Sequence, residues 1–240
     1  MKGTSLLTSK QSFQSNNKTV PCGNKLSDEK TDGTEFVKQE ETGMAELNKV
    51  KENLERKGYT VNLFETGAEA SAYLNEQIDG TSVAIGGMKT AEQIGLFDSL
   101  AKHNDAVWHW RQDPAEALKK AMTTDCYIAS ANAISEDGTI VNIDHTGNRL
   151  SSILFGHNKV YLVIGVNKLT DTLEDAIWRA RNIAAPKRAK SMGRKTPCVY
   201  KDKCFDCKSP DRLCRGMLVL MYPMGSSEME VVLVNEELGM

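Results

Sequence analysis

Four cysteines lie within a short segment near residue 200 and are the strongest candidates for chemistry in the sequence. They are Cys198, Cys204, Cys207 and Cys214. Clustered thiols in a reducing compartment bind metal more often than they form disulfides. Residues 186–215 carry ten Lys and Arg against three Asp, and this positive charge would stabilise thiolates or, as an alternative, attract an anionic substrate or partner. The spacing matches neither a zinc ribbon nor a ferredoxin. We predict an iron–sulfur cluster or Zn²⁺ here, with redox-active disulfides or unliganded thiols as the alternatives.

A glycine turn supplies the second candidate site. Gly86 and Gly87 directly follow the apolar segment 81–85, and Thr90 follows them just before a helix predicted over residues 91–100. A turn of this kind exposes backbone N–H groups that can hold a phosphate or a carboxylate. Its spacing differs from the Walker loop and from GxGxxG, and the chain carries no nicotinamide (NAD) or flavin fingerprint. We predict that these three residues bind an anion; an ordinary turn between a strand and a helix is the alternative.

Residues 130–149 form the third candidate, because short polar side chains alternate there with apolar residues that are spaced for burial. We predict that Asp144 or His145 moves a proton and that Arg149 pairs with a carboxylate. Four further residues are predicted to bind ligand, namely Asn132, Asn142, Gly147 and Asn148. The alternative is a β-hairpin with Asx-type turns and a capped helix, in which the same side chains serve only the backbone.

These candidates depend on the elements that bring them together. Apolar segments typical of strands alternate with helical segments from Met44 to Ala184, which predicts a mainly parallel sheet with helices on both faces. Residues 131–134 and 139–143 are predicted to form a hairpin, and residues 216–234 to return to the sheet. The polar residues 1–42 show no apolar period and are predicted to be a disordered or loosely attached tail. One domain would span residues 43–240, with the basic cysteine-rich segment 187–215 inside it.

Composition excludes several functional classes. The 240 residues carry a formal net charge of −2, which is not the charge of a generally basic nucleic-acid coat. No apolar run reaches the roughly 18 residues that a membrane span requires. The first residues also lack the apolar stretch of a secretory signal. We therefore expect a cytoplasmic protein with neither a membrane nor a nucleic acid as its partner.

Several motifs resemble the LUD-domain family, the lactate-utilization protein C-like proteins. They are Val83-x-Ile-Gly-Gly87, Ala131-Asn-Ala-Ile134, Thr146-Gly-Asn-Arg149, Gly165-Val-Asn-Lys168 and Arg181-Asn-Ile-Ala-Ala-Pro186. The resemblance continues through the four cysteines, which mark a small cysteine-bearing subgroup. It implies an α/β fold of the three-layer α/β/α, Rossmann-like kind, similar to the NagB/RpiA/CoA-transferase-like fold.

The resemblance also implies a function. The best-known family members act with iron–sulfur partner subunits in the oxidation of L-lactate to pyruvate. We therefore expect a component of such a system that binds a small carboxylate and works with iron–sulfur redox partner proteins. The block 131–149 also resembles sugar-phosphate isomerases related to initiation factor 2B, which carry an Asp where Asn132 stands here. The alternatives are a non-redox isomerase, hydrolase or transferase acting on a sugar phosphate or acyl-CoA, and a metal-stabilised binding module.

Overall fold

The computed structural model describes the backbone of residues 33–240 and the side chains of residues 43–240. The first helix, α1, spans Gly33–Lys57 and so begins before Met44, where the apolar pattern first becomes regular. The predicted tail, residues 1–42, lies for the most part outside the described residues. Within the described part of the chain, no helix is long and apolar enough to cross a membrane.

Short strands and helices alternate along most of the remaining chain. The strands are β1 Thr60–Phe64, β2 Ser82–Ile85, β3 Asp105–Val107, β4 Cys126–Ala129, β5 Ala133–Ser135, β6 Ile140–Asp144, β7 Lys159–Gly165, β8 Leu169–Thr170, β9 Gly216–Leu220 and β10 Glu228–Val234. The helices after α1 are α2 Gly67–Gln77, α3 Lys89–Gln93, α4 Leu96–Leu100, α5 Pro114–Ala121, α6 Asn148–Leu154, α7 Leu173–Arg179, α8 Ala185–Ser191 and α9 Pro197–Lys201. A 3₁₀ turn spans Val166–Lys168, and a π-helical turn, Ala180–Ala184, joins α7 to α8.

The central sheet has six parallel strands in the order β1-β10-β7-β4-β2-β3. Successive residues of β7 show why helices cover both of its faces. Leu162 packs with apolar residues of α1, α5 and α6, whereas Val163 packs with those of α2, α3 and α4. A strand that is buried on both faces is apolar at nearly every position, as β7 is. The predicted three-layer α/β/α fold is therefore confirmed.

A second, smaller sheet has the order β8-β5-β6-β9. The predicted hairpin is its centre, with Ala133 opposite Val141 and Ile134 opposite Ile140 in antiparallel register. The interpretation of residues 216–234 was only partly correct. β10 does join the central sheet, between β1 and β7, but β9 pairs with β6 in the second sheet.

The helix predicted over residues 91–100 is also different in the structure. It is divided into α3 and α4 at Gly95, whose φ of +63° is a left-handed conformation that glycine adopts without steric cost. α3 therefore has only five residues, Lys89–Gln93. A helix this short contributes little dipole to an anion site, so side chains have to supply most of the positive charge at the predicted anion site.

One charged group lies inside the central sheet. Glu230 of β10 is 1% exposed. One carboxylate oxygen, Oε1, accepts hydrogen bonds from Tyr73 Oη at 2.7 Å and Asn62 Nδ2 at 3.0 Å, and Oε2 lies 3.0 Å from Lys159 Nζ. Buried carboxylates are tolerated when they are paired and hydrogen-bonded, as this one is.

Candidate functional site

A cavity of about 330 Å³ lies at the carboxyl edge of the central sheet. Gly87, Ser130 and Lys168 line it, and they follow the ends of β2, β4 and β7 respectively. Other parts of its wall come from the segment that joins β6 to α6, from the residues after β3, from α8 and the segment that follows it, and from residues 239–240. The carboxyl ends of parallel strands are the usual ligand-binding edge of such a sheet. We therefore take this cavity as the candidate site.

The structure brings together residues that were predicted from two separate parts of the sequence. Those that line the cavity are Gly87, Thr90, Asn132, Asp144, His145, Asn148 and Arg149. The other predicted binding residues, Gly86, Asn142 and Gly147, are not part of its lining. The glycine turn and the polar block therefore form one site, and this follows from the adjacency of β2 and β4 in the sheet.

Gly86 contributes by its lack of a side chain. A Cβ at this position would lie 2.8 Å from Tyr127 Oη and 3.2 Å from Arg149 Cγ. A Cβ would have to displace the Tyr127 hydroxyl and would press on the Arg149 side chain, so glycine at this position leaves room for Arg149 to cross the turn. Gly147, with a φ of +87°, meets a similar backbone requirement at the start of α6. Both glycines position Arg149.

Asp144 is occupied by the backbone of the segment that follows it. Its Oδ1 accepts a hydrogen bond from the His145 N–H at 2.9 Å, and its Oδ2 accepts one from the Arg149 N–H at 3.0 Å. The Arg149 guanidinium lies 3.6 Å from the same carboxylate and donates to the Ile143 carbonyl. This arrangement favours the capping role for Asp144, whereas His145 is exposed at the cavity wall and its ring has no hydrogen-bond partner among the described residues.

Two of the three predicted asparagines, Asn132 and Asn142, lie in or directly beside the hairpin. Asn132 Oδ1 accepts a hydrogen bond from the Ile143 N–H at 2.6 Å, which holds the end of β5 against β6. Asn142 is 1% exposed, and within the described residues its Oδ1 has no hydrogen-bond partner. Asn132 therefore shapes the site wall while still lining the cavity.

The cavity is strongly cationic, and most of this charge was not assigned to a site by the sequence analysis. Arg188 and Arg194 line it together with Arg149 and Lys168. The Arg188 guanidinium lies 4.5 Å from the centre of the Trp110 ring, a cation–π contact. Arg194 Nε is buried and lacks a hydrogen-bond partner within the described residues. Three arginines around one cavity, one of them with a buried N–H that lacks an acceptor within the described residues, indicate a site for an anion.

His109 lies in the same wall and is uncharged near neutral pH. Burial lowers the pKa of its imidazole, and the positive charge of Arg188 lowers it further. The signal that could have identified this wall was in the sequence, since Arg188 and Arg194 belong to the basic segment 187–215. The positive charge of that segment was related mainly to thiolates, whereas two of its arginines line this cavity.

The family model for the LUD domain matches residues 47–234, which is most of the chain. The chain belongs to the LUD-domain family. A similar solved structure is the crystal structure of a DUF162 family protein from Deinococcus radiodurans, at 10% identity and a TM-score of 0.46. The match covers 80% of this LUD domain chain and 98% of the other. No curated protein matches the sequence.

The four predicted metal-ligating cysteines of this LUD domain meet at a second cavity. Cys198, Cys204, Cys207 and Cys214 all line it, and its volume is about 20 Å³. Cys214 also lines the larger, cationic cavity, so the two share a wall. The fold therefore places all four thiols around one small space, although Cys198 lies in α9 and the other three lie in the loop between α9 and β9.

Two hydrogen-bond donors lie close to the sulfur of Cys204. Arg181 lies 3.6 Å from Cys204 Sγ, and the Asp206 N–H donates to the same sulfur at 3.4 Å. Among the described residues, no three His, Cys, Asp or Glu side chains are grouped as closely as a bound metal ion would require. Metal binding at this cavity would draw the thiols together, and the donor set of four cysteines suits Zn²⁺ or an iron–sulfur cluster.

Proposed function

We propose that this LUD-type lactate-utilization protein binds a small 2-hydroxy or 2-oxo acid as a component of a system that oxidises L-lactate to pyruvate. The observation that carries the proposal is the cationic cavity at the carboxyl edge of the sheet. Arg149, Arg188 and Arg194 all line it, and Asp144, the acidic residue of its wall, is already held by backbone donors. An anionic ligand would supply the negative charge that these three arginines lack within the cavity.

The guanidinium groups of Arg149 and Arg188 suit a carboxylate in particular. Arginine donates two parallel hydrogen bonds to the two oxygens of a carboxylate, and such a pair is stronger than a neutral hydrogen bond. Arg149 is anchored by the Ile143 carbonyl, and Arg188 by its stacking on Trp110, so neither has to be ordered when ligand binds. We propose these two side chains as the carboxylate ligands.

The size of the cavity favours a second candidate, a larger anion. A volume of about 330 Å³ exceeds what a three-carbon acid fills, and it lies in the range of sites for larger metabolites. A sugar phosphate or the phosphate end of an acyl-CoA would meet the same arginines. This candidate corresponds to a non-redox isomerase, hydrolase or transferase, for which Asn132 does not supply a carboxylate base.

We also propose that the four cysteines hold a metal centre. All four line one cavity, and Arg181 lies within contact distance of Cys204 Sγ, so the protein offsets part of the thiolate charge. An iron–sulfur cluster there would carry electrons, whereas zinc would only hold the segment together. The electrons that lactate oxidation releases would then pass to an iron–sulfur partner protein, because the sequence has no nicotinamide or flavin fingerprint.

The ligand proposal is tested by calorimetry on the full chain with pyruvate, L-lactate, D-lactate and ribose 5-phosphate. We expect pyruvate and L-lactate to bind and to raise the melting temperature, since a ligand that binds only the native state stabilises it. Binding of ribose 5-phosphate alone would support the second candidate instead. If none of the four binds and none shifts the melting temperature, the small-acid proposal is wrong.

The metal proposal is tested by the metal and sulfide content of protein purified without oxygen, together with its absorption spectrum. We expect about one metal centre per chain, and its loss in a Cys204→Ser, Cys207→Ser double variant. A Cys126→Ser variant is the matched control, because Cys126 lies at the start of β4, away from the four-cysteine cavity. Full-length protein with no metal and four titratable thiols in this segment would contradict the proposal.

A further inference from the structure

Lys168 is a buried lysine whose surroundings do not match a purely structural role. It ends the 3₁₀ turn that directly follows β7, so it lies at the same sheet edge as the residues that follow β2 and β4. Its Nζ lies 2.7 Å from Ser130 Oγ and 3.2 Å from Thr90 Oγ1. Three adjacent strands thus each supply one polar group to a single point in the cavity wall.

The amine is removed from water without a countercharge. Lys168 is 2% exposed, and in the described part of the chain its hydrogen-bond partners are the two hydroxyls. The charged groups that act on it are Arg179 of α7 and Arg149 of α6, both cations. Burial, reinforced by these two arginines, lowers the pKa of the Lys168 amine to about 7. A large fraction of the side chain is therefore neutral near physiological pH.

The number of hydrogen-bond partners also fits the neutral form. A neutral amine has two N–H bonds and one lone pair, whereas an ammonium group has three N–H bonds. Ser130 and Thr90 can accept both N–H bonds of the neutral amine, which leaves the lone pair without a protein partner within the described residues. Lys168 lines the cavity that we propose to bind 2-oxo acids. Desolvated lysines beside other cations are known nucleophiles toward carbonyl groups.

We propose that Lys168 forms a Schiff base with the carbonyl carbon of a 2-oxo acid bound in the cationic cavity. This inference rests on the proposed function, because it takes the oxo-acid form of the same ligand class, with its carboxylate on Arg149 or Arg188. It adds a covalent step, and Lys168 is the residue that carries it.

The step balances without an added oxidant or reductant. The Lys168 lone pair attacks the carbonyl carbon, and one of the two amine protons passes to the carbonyl oxygen to give a carbinolamine. The hydroxyl group then takes up one proton from solvent and leaves as water, so that a C=N bond replaces the C=O bond and the nitrogen keeps its remaining proton. The protonated Schiff base keeps one N–H, which Ser130 Oγ is close enough to accept, and the ligand carboxylate offsets its positive charge.

The test is reductive trapping on the full chain. Protein is incubated with pyruvate and cyanoborohydride near neutral pH, and the adduct is located by peptide mass spectrometry. We expect one reduced pyruvate unit per chain, on Lys168. We expect it to form roughly 100-fold faster than at surface lysines, whose pKa of about 10.4 leaves them almost entirely protonated. L-lactate has no carbonyl group and should give no adduct.

Variants and controls make the result specific. Lys168→Met and Lys168→Arg should abolish the adduct, and Lys190→Arg, at an exposed position of α8, should leave it unchanged. The adduct is also located directly in the unmodified protein, so a variant that does not fold leaves the test intact. Adducts spread over surface lysines would overturn the inference. Pyruvate that binds by calorimetry without an adduct at Lys168 would overturn this inference alone, whereas absent pyruvate binding would overturn the proposed function as well.

Discussion

An Arg149→Met variant is expected to bind pyruvate about 100-fold more weakly, a loss of about 2.7 kcal/mol in binding free energy. The Arg149 side chain is only 14% exposed, and its guanidinium is already oriented by the Ile143 carbonyl and by Asp144. A pre-oriented, partly desolvated guanidinium contributes more to the binding of an anion than one in open water. Methionine keeps the apolar stem over Gly86 while it removes the charge and the donors.

The measurement is the dissociation constant for pyruvate by calorimetry, with the melting temperature as a check on folding. Loss of the bond to the Ile143 carbonyl should cost about 1 kcal/mol of stability, which leaves the variant folded. Arg149→Lys keeps the charge without the fork and should give an intermediate affinity. Arg56→Met removes an exposed arginine of α1 and serves as the matched control. An unchanged affinity in Arg149→Met would remove this residue from the site.

A Lys159→Met variant is expected to lower the free energy of unfolding by about 3 kcal/mol. Removing one partner of a buried ion pair typically costs 3–5 kcal/mol, since it leaves a buried charge uncompensated. Glu230 would keep the hydrogen bonds from Tyr73 and Asn62, which places the expected cost at the lower end. Burial opposes the charge on Lys159, yet its hydrogen bond to Glu230 raises the pKa of the ammonium group above its usual value.

Urea unfolding of the variant gives this free energy, and two further variants make it interpretable. Lys120→Met breaks the exposed pair with Asp105, so its cost should stay below about 1 kcal/mol. The Lys159→Met, Glu230→Gln double variant removes both charges and should recover part of the stability that Lys159→Met loses. Equal costs for Lys159→Met and Lys120→Met would show that the Glu230 pair contributes no more than a surface pair.

The parts of the fold that could be predicted from sequence are those that neighbouring residues determine. The Asp137-Gly138 turn sets the hairpin, and the apolar run of β7 sets a strand covered on both faces. Strand order could not be predicted in the same way, because it depends on contacts between residues distant in sequence. The place of β9 in the second sheet is an example, since Leu220 pairs with Ile140 rather than with the central strands.

The residues of the candidate site also divide into those that a local sequence pattern predicts and those that only distant contacts bring into the site. The glycine turn and the polar block carry recognisable local patterns, so most of their residues were predicted before the structure placed them together. Lys168 lies in one of the family motifs, Gly165-Val-Asn-Lys168, which by itself assigns it no role, and Arg188 belongs to a basic segment without a local pattern. Asp144 has a recognisable local pattern that suggests a different role from the one its contacts favour. A carboxylate beside a histidine resembles a proton-transfer pair, whereas both oxygens of Asp144 accept hydrogen bonds from backbone N–H groups.

The position of β10 has a consequence for how the chain folds. In the central sheet, β10 lies between β1 and β7 and pairs with both. β1 therefore joins the rest of the sheet through the last strand of the chain's described part. A ribosome must therefore release almost the whole described chain before the sheet can close. Until then, β1 has no neighbouring strand to pair with, and the edge of β7 that faces β10 stays open. Topologies dominated by such distant pairings fold slowly and leave strand edges available for aggregation. The edges of β1 and β7 are therefore the segments of a nascent chain that we expect to be most exposed to aggregation.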